Sequence, residues 1–158
     1  MTQSLLQVLQ KQPYVEAFRP EHTQKLAALA KLVHFDAGQV VFHEGDTHSV
    51  FYLLSEGMLA LELEMPRNVL RVQTLYAGDV FDWSALLPHA GKHFQARALS
   101  AVTALAFEGQ QLLGSFKADP EFGLAFMLRL MGVVSERLRA TRVQLLDMYA
   151  AEARLSGT

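Results

Sequence analysis

The stretch from Gly38 to Gly57 constrains this chain more than any other. It holds two short apolar segments, Val40–Phe42 and Val50–Leu54, each closed off by turn residues. Glycine stands at 38, 45 and 57, where tight turns call for positive φ. Gly78-Asp79 repeats the turn chemistry of Gly45-Asp46 further on. Turn signals at such short intervals leave no room for a helix and predict a compact all-β roll. A roll of this kind is built around a ligand pocket.

The rest of the chain sets limits on function. Its 158 residues suit one domain, and half of them are apolar, which excludes disorder. Lys and Arg number 14 against 16 Asp and Glu. A near-neutral balance argues against nonspecific nucleic-acid binding, which needs a basic surface. The chain has no cysteine. Disulfides, iron–sulfur clusters and thiol catalysis are therefore excluded. No apolar run is long enough to span a membrane, and the first residues lack a basic-then-apolar leader pattern. These features predict a cytoplasmic protein with no membrane association.

Helices are expected at 4–9 and 21–33. Pro20 suits a first turn, and Leu26, Leu29, Ala30 and Val33 share a face. The β pattern then runs from Phe35 to Phe107, placing the roll at 35–109. Leu59, Leu61 and Leu63 alternate with Ala60, Glu62 and Glu64, as in a half-buried strand. Pro66-Arg67-Asn68 reads as a hairpin turn, with further strand regions at Val69–Tyr76 and Ala96–Phe107 and a short helix at Gln110–Lys117. Asp119-Pro120-Glu121 is a helix start: a cap, a proline at the first position and an acid at the positive end of the dipole. The helix continues over 119–152. Leu124, Met127, Met131, Val134, Leu138, Thr141, Leu145 and Met148 follow steps of three and four, an a/d seam. The expectation is that its first half packs on the roll and its second half on another copy, giving a homodimer.

This order of elements resembles the cyclic nucleotide-binding domain of the catabolite-activator (Crp–Fnr) family. Four segments carry the resemblance: Gly38–Asp46, Phe51–Gly57, Leu75–Phe81 and Arg137–Arg142. It implies a mainly β fold with flanking helices, a double-stranded β-helix or jelly roll with N-terminal helices and a long C-terminal dimerisation helix, in a single sensory domain over 1–158. The form Phe81–Pro88, with Thr141–Asp147, is similar to a bacterial subgroup that consists of this domain alone. Family transcription factors carry a helix-turn-helix domain beyond the long helix. About ten residues follow Met148, so direct DNA binding is not expected.

The resemblance also implies where a ligand sits. The family cassette reads Phe-Gly-Glu-x-Ala-Leu, then a loop, then Arg-Ser/Thr-Ala; amides and the Arg hold the cyclic phosphate, and the Glu takes the ribose hydroxyl. This chain keeps Phe81, Ser84, Ala85 and Leu86. Asp82 replaces the glycine, and Trp83 replaces the Glu. Lys92 falls at the Arg position and His93 at the Ser/Thr position. Lys92 would meet a phosphate as a point charge without the guanidinium fork. Arg97 is a second candidate, and an Asp82–Lys92 ion pair across the loop is a further expectation. Thr141 matches the long-helix Thr that reaches the base in cyclic-AMP binders; it reads equally as a seam Thr bonded to its own helix carbonyl. Trp83 reads as a plug in the space a ligand would take.

Other chemistry is weaker. The six histidines are 22, 34, 43, 48, 89 and 93. His43 and His48 lack the His-x-His and carboxylate pattern of a cupin metalloenzyme, and no metal site is assigned. His34, His89 and His93 are the candidates for a haem ligand in a gas sensor. Ser84 has no companion motif for nucleophilic catalysis. The resulting expectation is a non-catalytic sensory domain binding cyclic AMP, cyclic GMP or another small anion and signalling through a dimer helix to a protein partner the sequence does not identify. The alternative is a ligand-free dimeric scaffold with a self-filled pocket.

Overall fold

A computed structural model describes residues 4–47, 49–87 and 94–157. Helix α1 spans Leu5–Gln10 and α2 spans Pro20–Leu29. The strands are β1 (Lys31–Phe35), β2 (Val40–Phe42), β3 (Val50–Glu56), β4 (Leu59–Glu64), β5 (Val69–Leu75), β6 (Val80–Phe81), β7 (Gln95–Ala98) and β8 (Val102–Glu108). Helix α3 (Gly109–Ala118) and helix α4 (Pro120–Leu155) follow. Two four-stranded sheets face each other, in the orders β1-β8-β3-β6 and β2-β7-β4-β5, and the pairings are antiparallel. This is the jelly roll with flanking helices and a long final helix.

Strands β3 and β8 of the first sheet are buried on both faces, which explains their apolar runs. Tyr52, Leu54, Ala104 and Ala106 point into the roll, against Phe42, Leu59, Leu61 and Phe81. Phe51, Leu53, Leu105 and Phe107 point the other way, against Leu9, Tyr14, Leu26, Leu112, Phe122 and Phe126 of the helical layer. Alternation along each strand thus feeds two cores at once. Aromatic contacts link sheet to helices, with Phe51 and Phe126 ring centres 5.4 Å apart and Phe116 and Phe126 4.9 Å apart.

The glycine punctuation has the expected geometry: Gly38, Gly45 and Gly57 all have φ near +90°. Gly57 is the most demanding. A Cβ there would stand 2.3 Å from the Ala101 carbonyl oxygen, so both the turn and the neighbouring chain require glycine.

Several local expectations need correction. The second helix stops at Leu29, and Lys31–Phe35 is a strand paired with β8. The shared apolar face of Leu26, Leu29, Ala30 and Val33 suits a helix, but pairing of Leu-Val-His-Phe with an open sheet edge wins over it. The roll accordingly begins at Lys31, ahead of Phe35. Strand β4 is not half-buried: Ala60 and Glu62 are buried along with Leu59 and Leu61. Glu62 tolerates burial because its Oε1 accepts from Gln95 Nε2 at 2.9 Å and from Arg97 Nε at 3.0 Å.

The seam expectation also changes. The residues of α4 that pack on the body are Phe122, Phe126 and Leu130, with Val133 and Val134 against them. Leu124, Met127 and Met131 lie on the other side and are 61%, 37% and 67% exposed. At 3.6 residues per turn the helix therefore carries two apolar stripes. One docks on the chain's own core over the first half. The other, continued by Leu138, Leu145 and Met148, faces outward along the whole length. The start of α4 is pinned by Asp119, whose Oδ1 accepts from the Phe122 amide at 3.3 Å while its other oxygen pairs with Lys25 of α2. Arg19 and Glu121 form a second ion pair at the same corner.

Candidate functional site

The chain leaves β6 at Phe81, which is fully buried and stacked on Tyr52 with ring centres 4.9 Å apart. Asp82 then turns sharply, at φ 69° and ψ 46°. This left-handed conformation normally belongs to glycine, and Asp is among the few other residues that adopt it readily. Asp82 thus stands in for the family's glycine in shape while adding a carboxylate. Its Oδ1 accepts from Ser84 Oγ at 2.8 Å. The turn opens a short 3-10 helix, Trp83–Leu86, closed by bonds from the Ala85 amide to the Asp82 carbonyl and from the Leu87 amide to the Ser84 carbonyl. Ala85 and Leu86 are buried in the helical-side core, where Gly109 passes so closely that a Cβ on it would lie 2.3 Å from the Ala85 carbonyl oxygen.

Beside this turn lies a cleft between the roll and α4. An inner part of about 40 Å³ is lined by Phe42, Leu61, Asp82, Trp83, Ser84, Phe94 and Arg137. An outer part of about 230 Å³ shares Leu61, Trp83, Phe94 and Arg137 and adds Val72, Gln73, Val134, Leu138, Thr141 and Gln144 among its walls.

Among the described residues lining the cleft, Arg137 is the cation. Its carbon Cζ sits 4.8 Å from the centre of the Trp83 ring, a cation–π contact. Nη2 donates to the Val80 carbonyl. Nη1 is buried and has no hydrogen-bond partner. Burial pushes the guanidinium down to about 10, partly offset by the charge of Asp79. Inside the roll, the Tyr52 hydroxyl is pushed up to about 12 by burial, with the nearby Asp82 charge adding to it.

The residues expected from the sequence separate into groups. Asp82, Trp83 and Ser84 line the cleft, whereas Phe81, Ala85 and Leu86 are buried in the two cores and hold the turn in place. Trp83 is half-buried and serves as a wall between the two parts of the cleft. Arg97 is not at the cleft: its Nε bonds to Glu62 and its Nη1 donates to the Gly38 carbonyl at 3.2 Å. Thr141 lines the outer cleft, and its Oγ1 donates to the Arg137 carbonyl at 2.9 Å, as its reading as a Thr bonded to its own helix expects. Lys92 and His93, and with them the Asp82–Lys92 pair, lie outside the described residues. So do His48 and His89. His34 Nδ1 faces Thr103 Oγ1 at 3.1 Å on an exposed strand, away from the cleft. Among the described residues no cluster of metal-ligating side chains occurs, and no helix is long and apolar enough to cross a membrane.

Arg137, Phe94 and Phe42 were not picked out from the sequence as ligand-facing. A signal for Arg137 was present: Arg137, Thr141 and Gln144 fall at i, i+4 and i+7, one face of α4. The aromatic walls had none, because residues far apart in the chain form them.

The profile of the family described as "Cyclic nucleotide-binding domain" matches residues 32–119, from β1 through α3. A curated relative, the HTH-type transcriptional regulator Cmr of Mycobacterium tuberculosis, is 29% identical over 150 residues; the match covers 86% of this chain and 62% of that regulator. The chain thus spans less than two thirds of that relative's length. Among solved structures, a putative cyclic nucleotide-binding protein from Geobacter metallireducens superposes with a TM-score of 0.74 at 22% identity, covering 87% of this chain and 99% of that one. The catabolite activator protein of Thermus thermophilus gives 0.73 at 21% identity over 90% of this chain and 65% of its own. The regulatory domain of Toxoplasma gondii PKA, crystallised with cAMP, gives 0.69 at 21% identity, covering 84% of this chain and 49% of that one. At these identities the structural matches show the fold, and the family match over more than half the chain shows the lineage. The chain belongs to the cyclic nucleotide-binding domain family.

Proposed function

We propose that this cyclic nucleotide-binding-like regulatory domain is a non-catalytic sensor, in which a small ligand in the cleft biases helix α4 and, through it, a homodimer. One observation carries the reading. The cleft is walled on one side by Trp83 and Phe94 of the roll and on the other by Arg137 and Thr141 of α4. A ligand there touches the same helix that presents Leu124, Met131, Leu138, Leu145 and Met148 outward. Differential contact with two positions of α4 is the requirement for a ligand to shift their populations. The outward stripe is a long a/d seam without a covering element, the pattern of a parallel helix pair. A near-neutral net charge favours a protein as the downstream partner over a nucleic acid. A single domain in the cytoplasm, with the candidate ligands cyclic AMP, cyclic GMP or another small anion, completes the reading.

Sedimentation at micromolar concentration tests the dimer, and a monomer refutes it. Calorimetry with cyclic AMP and cyclic GMP tests the ligand. A second reading, the ligand-free dimeric scaffold, is favoured by the inner cavity: about 40 Å³ beside Trp83 leaves room for little more than ordered water. Silence toward all small anions, with the dimer intact, selects that reading.

A further inference from the structure

The charge balance of the cleft narrows its ligand, on the reading that the cleft is the sensory site. A guanidinium carries five N–H donors and accepts nothing. In Arg137, Nη2 serves the Val80 carbonyl, the Trp83 ring covers one face, and Nη1 is buried with no acceptor. A buried charged donor without an acceptor is costly, and native structures rarely leave one unless it has a use. Among the described residues no carboxylate forms an ion pair with it, and Asp79 offsets its burial only in part. Asp79 acts on Arg137 through space, with no ion pair between them within 4.0 Å, and Asp82 bonds Ser84. Arg137 lines both parts of the cleft.

The remaining walls are mostly apolar. Leu61, Trp83 and Phe94 line both parts, and Val72 and Val134 flank the outer one. An apolar cavity of about 150 Å³ is enough to hold a benzene ring. The outer cleft, about 230 Å³, therefore holds one ring and an acid group. A bare phosphate would keep its strong hydration and gain nothing from these walls.

We propose that Arg137 is the anion anchor of this domain and that the ligand class is a small single-ring aromatic carboxylate, with its carboxylate paired with the Arg137 guanidinium and the ring against Trp83, Phe94 and Leu61. The anchor then sits on the signalling helix itself. A carboxylate paired with Arg137 ties α4 to the roll through the ligand.

Trp83 is the sole tryptophan, so its fluorescence reports on this cleft alone. The full chain is titrated with benzoate, its neutral isostere benzamide, acetate, inorganic phosphate and cyclic AMP. Benzoate is expected to saturate the Trp83 signal at least about tenfold more tightly than benzamide or acetate, as a charge-assisted bond combined with an apolar ring requires. Arg137→Met is expected to lose benzoate affinity by at least about tenfold while melting as one cooperative unit. Equal affinity for benzoate and benzamide in the unaltered protein overturns the proposal without any variant. So does benzoate binding unchanged by Arg137→Met. Tight cyclic AMP binding with benzoate silent overturns the ligand class and leaves the sensory reading standing. Silence toward all five compounds removes both.

Discussion

Arg137→Met is the perturbation whose outcome follows most directly from the cleft. The buried cation is held from 12.5 down to about 10, which corresponds to about 3 kcal/mol of unfavourable environment for its charged form. Methionine keeps comparable bulk and removes that charge. Against the gain stands the loss of the charge-assisted bond to the Val80 carbonyl, about 1.5–3 kcal/mol, and of the contact with Trp83, about 0.5–2 kcal/mol. The two sides nearly cancel, so stability should change by no more than about 1–2 kcal/mol. Arg137→Lys should be worse than Arg137→Met, because a compact ammonium is more strongly hydrated and cannot reach Val80 and Trp83 together. Urea unfolding at one fixed protein concentration measures both variants, since a dimer's midpoint depends on concentration. A loss above about 3 kcal/mol for Arg137→Met is the signature of breaking a paired buried charge. That result would mean Nη1 already has its acceptor, and the electrostatic argument for an anion site would fail.

Other predictions address the frame around the cleft. Gly57→Ala should cost more than about 2 kcal/mol, because φ is +96° and the new Cβ would meet the Ala101 oxygen at 2.3 Å. Gly114→Ala, at a helical position with open space around it, should instead stabilise by about 0.5–1 kcal/mol in the same unfolding assay. Leu138→Glu, on the outward stripe, should shift sedimentation toward monomer without lowering the helical circular dichroism of the folded protein. The Asp119 carboxyl is held below its usual 3.8 by Lys25, and also by the Phe122 amide, against a smaller opposing effect of burial. Its contribution is therefore complete above pH 3.8 and disappears as pH falls through the lowered value. Acid unfolding of Asp119→Asn should show a shallower loss of stability in that window than the unaltered chain.

The comparison between sequence and structure turns on particular residues. Turn glycines were readable because positive φ is a local property: Gly38, Gly45 and Gly57 behave as expected without reference to anything distant. The start of α4 was readable for the same reason, since Asp119 caps a helix through an amide three residues away. Lys31–Phe35 was not, because a short apolar segment next to a helix becomes a strand only when β8 offers it an edge. Likewise Glu62 looked like a surface residue until Gln95 and Arg97 came alongside to satisfy it.

For the candidate site, residues 81–86 were singled out in the sequence, but their division between core and cleft was not. Phe81, Ala85 and Leu86 anchor the turn, while Asp82, Trp83 and Ser84 face the cleft. Arg97 was the second candidate cation after Lys92, and it is engaged by Glu62 and Gly38. Arg137 was visible only as part of a helical motif. It becomes the cation of the cleft because α4 lies across Trp83 and withdraws one of its nitrogens from water.

The order of amino acids by itself determined a glycine-punctuated roll, capped by helices and followed by a long amphipathic helix, because turns, caps and periodicities act over a few residues. Tertiary structure alone decided which stripe of α4 docks on the core and which faces outward, and that Nη1 of Arg137 is withdrawn from water without an acceptor among the described residues. Those outcomes depend on packing between segments more than fifty residues apart, where desolvation and hydrogen-bond satisfaction are settled by contact and leave no periodic trace in the chain.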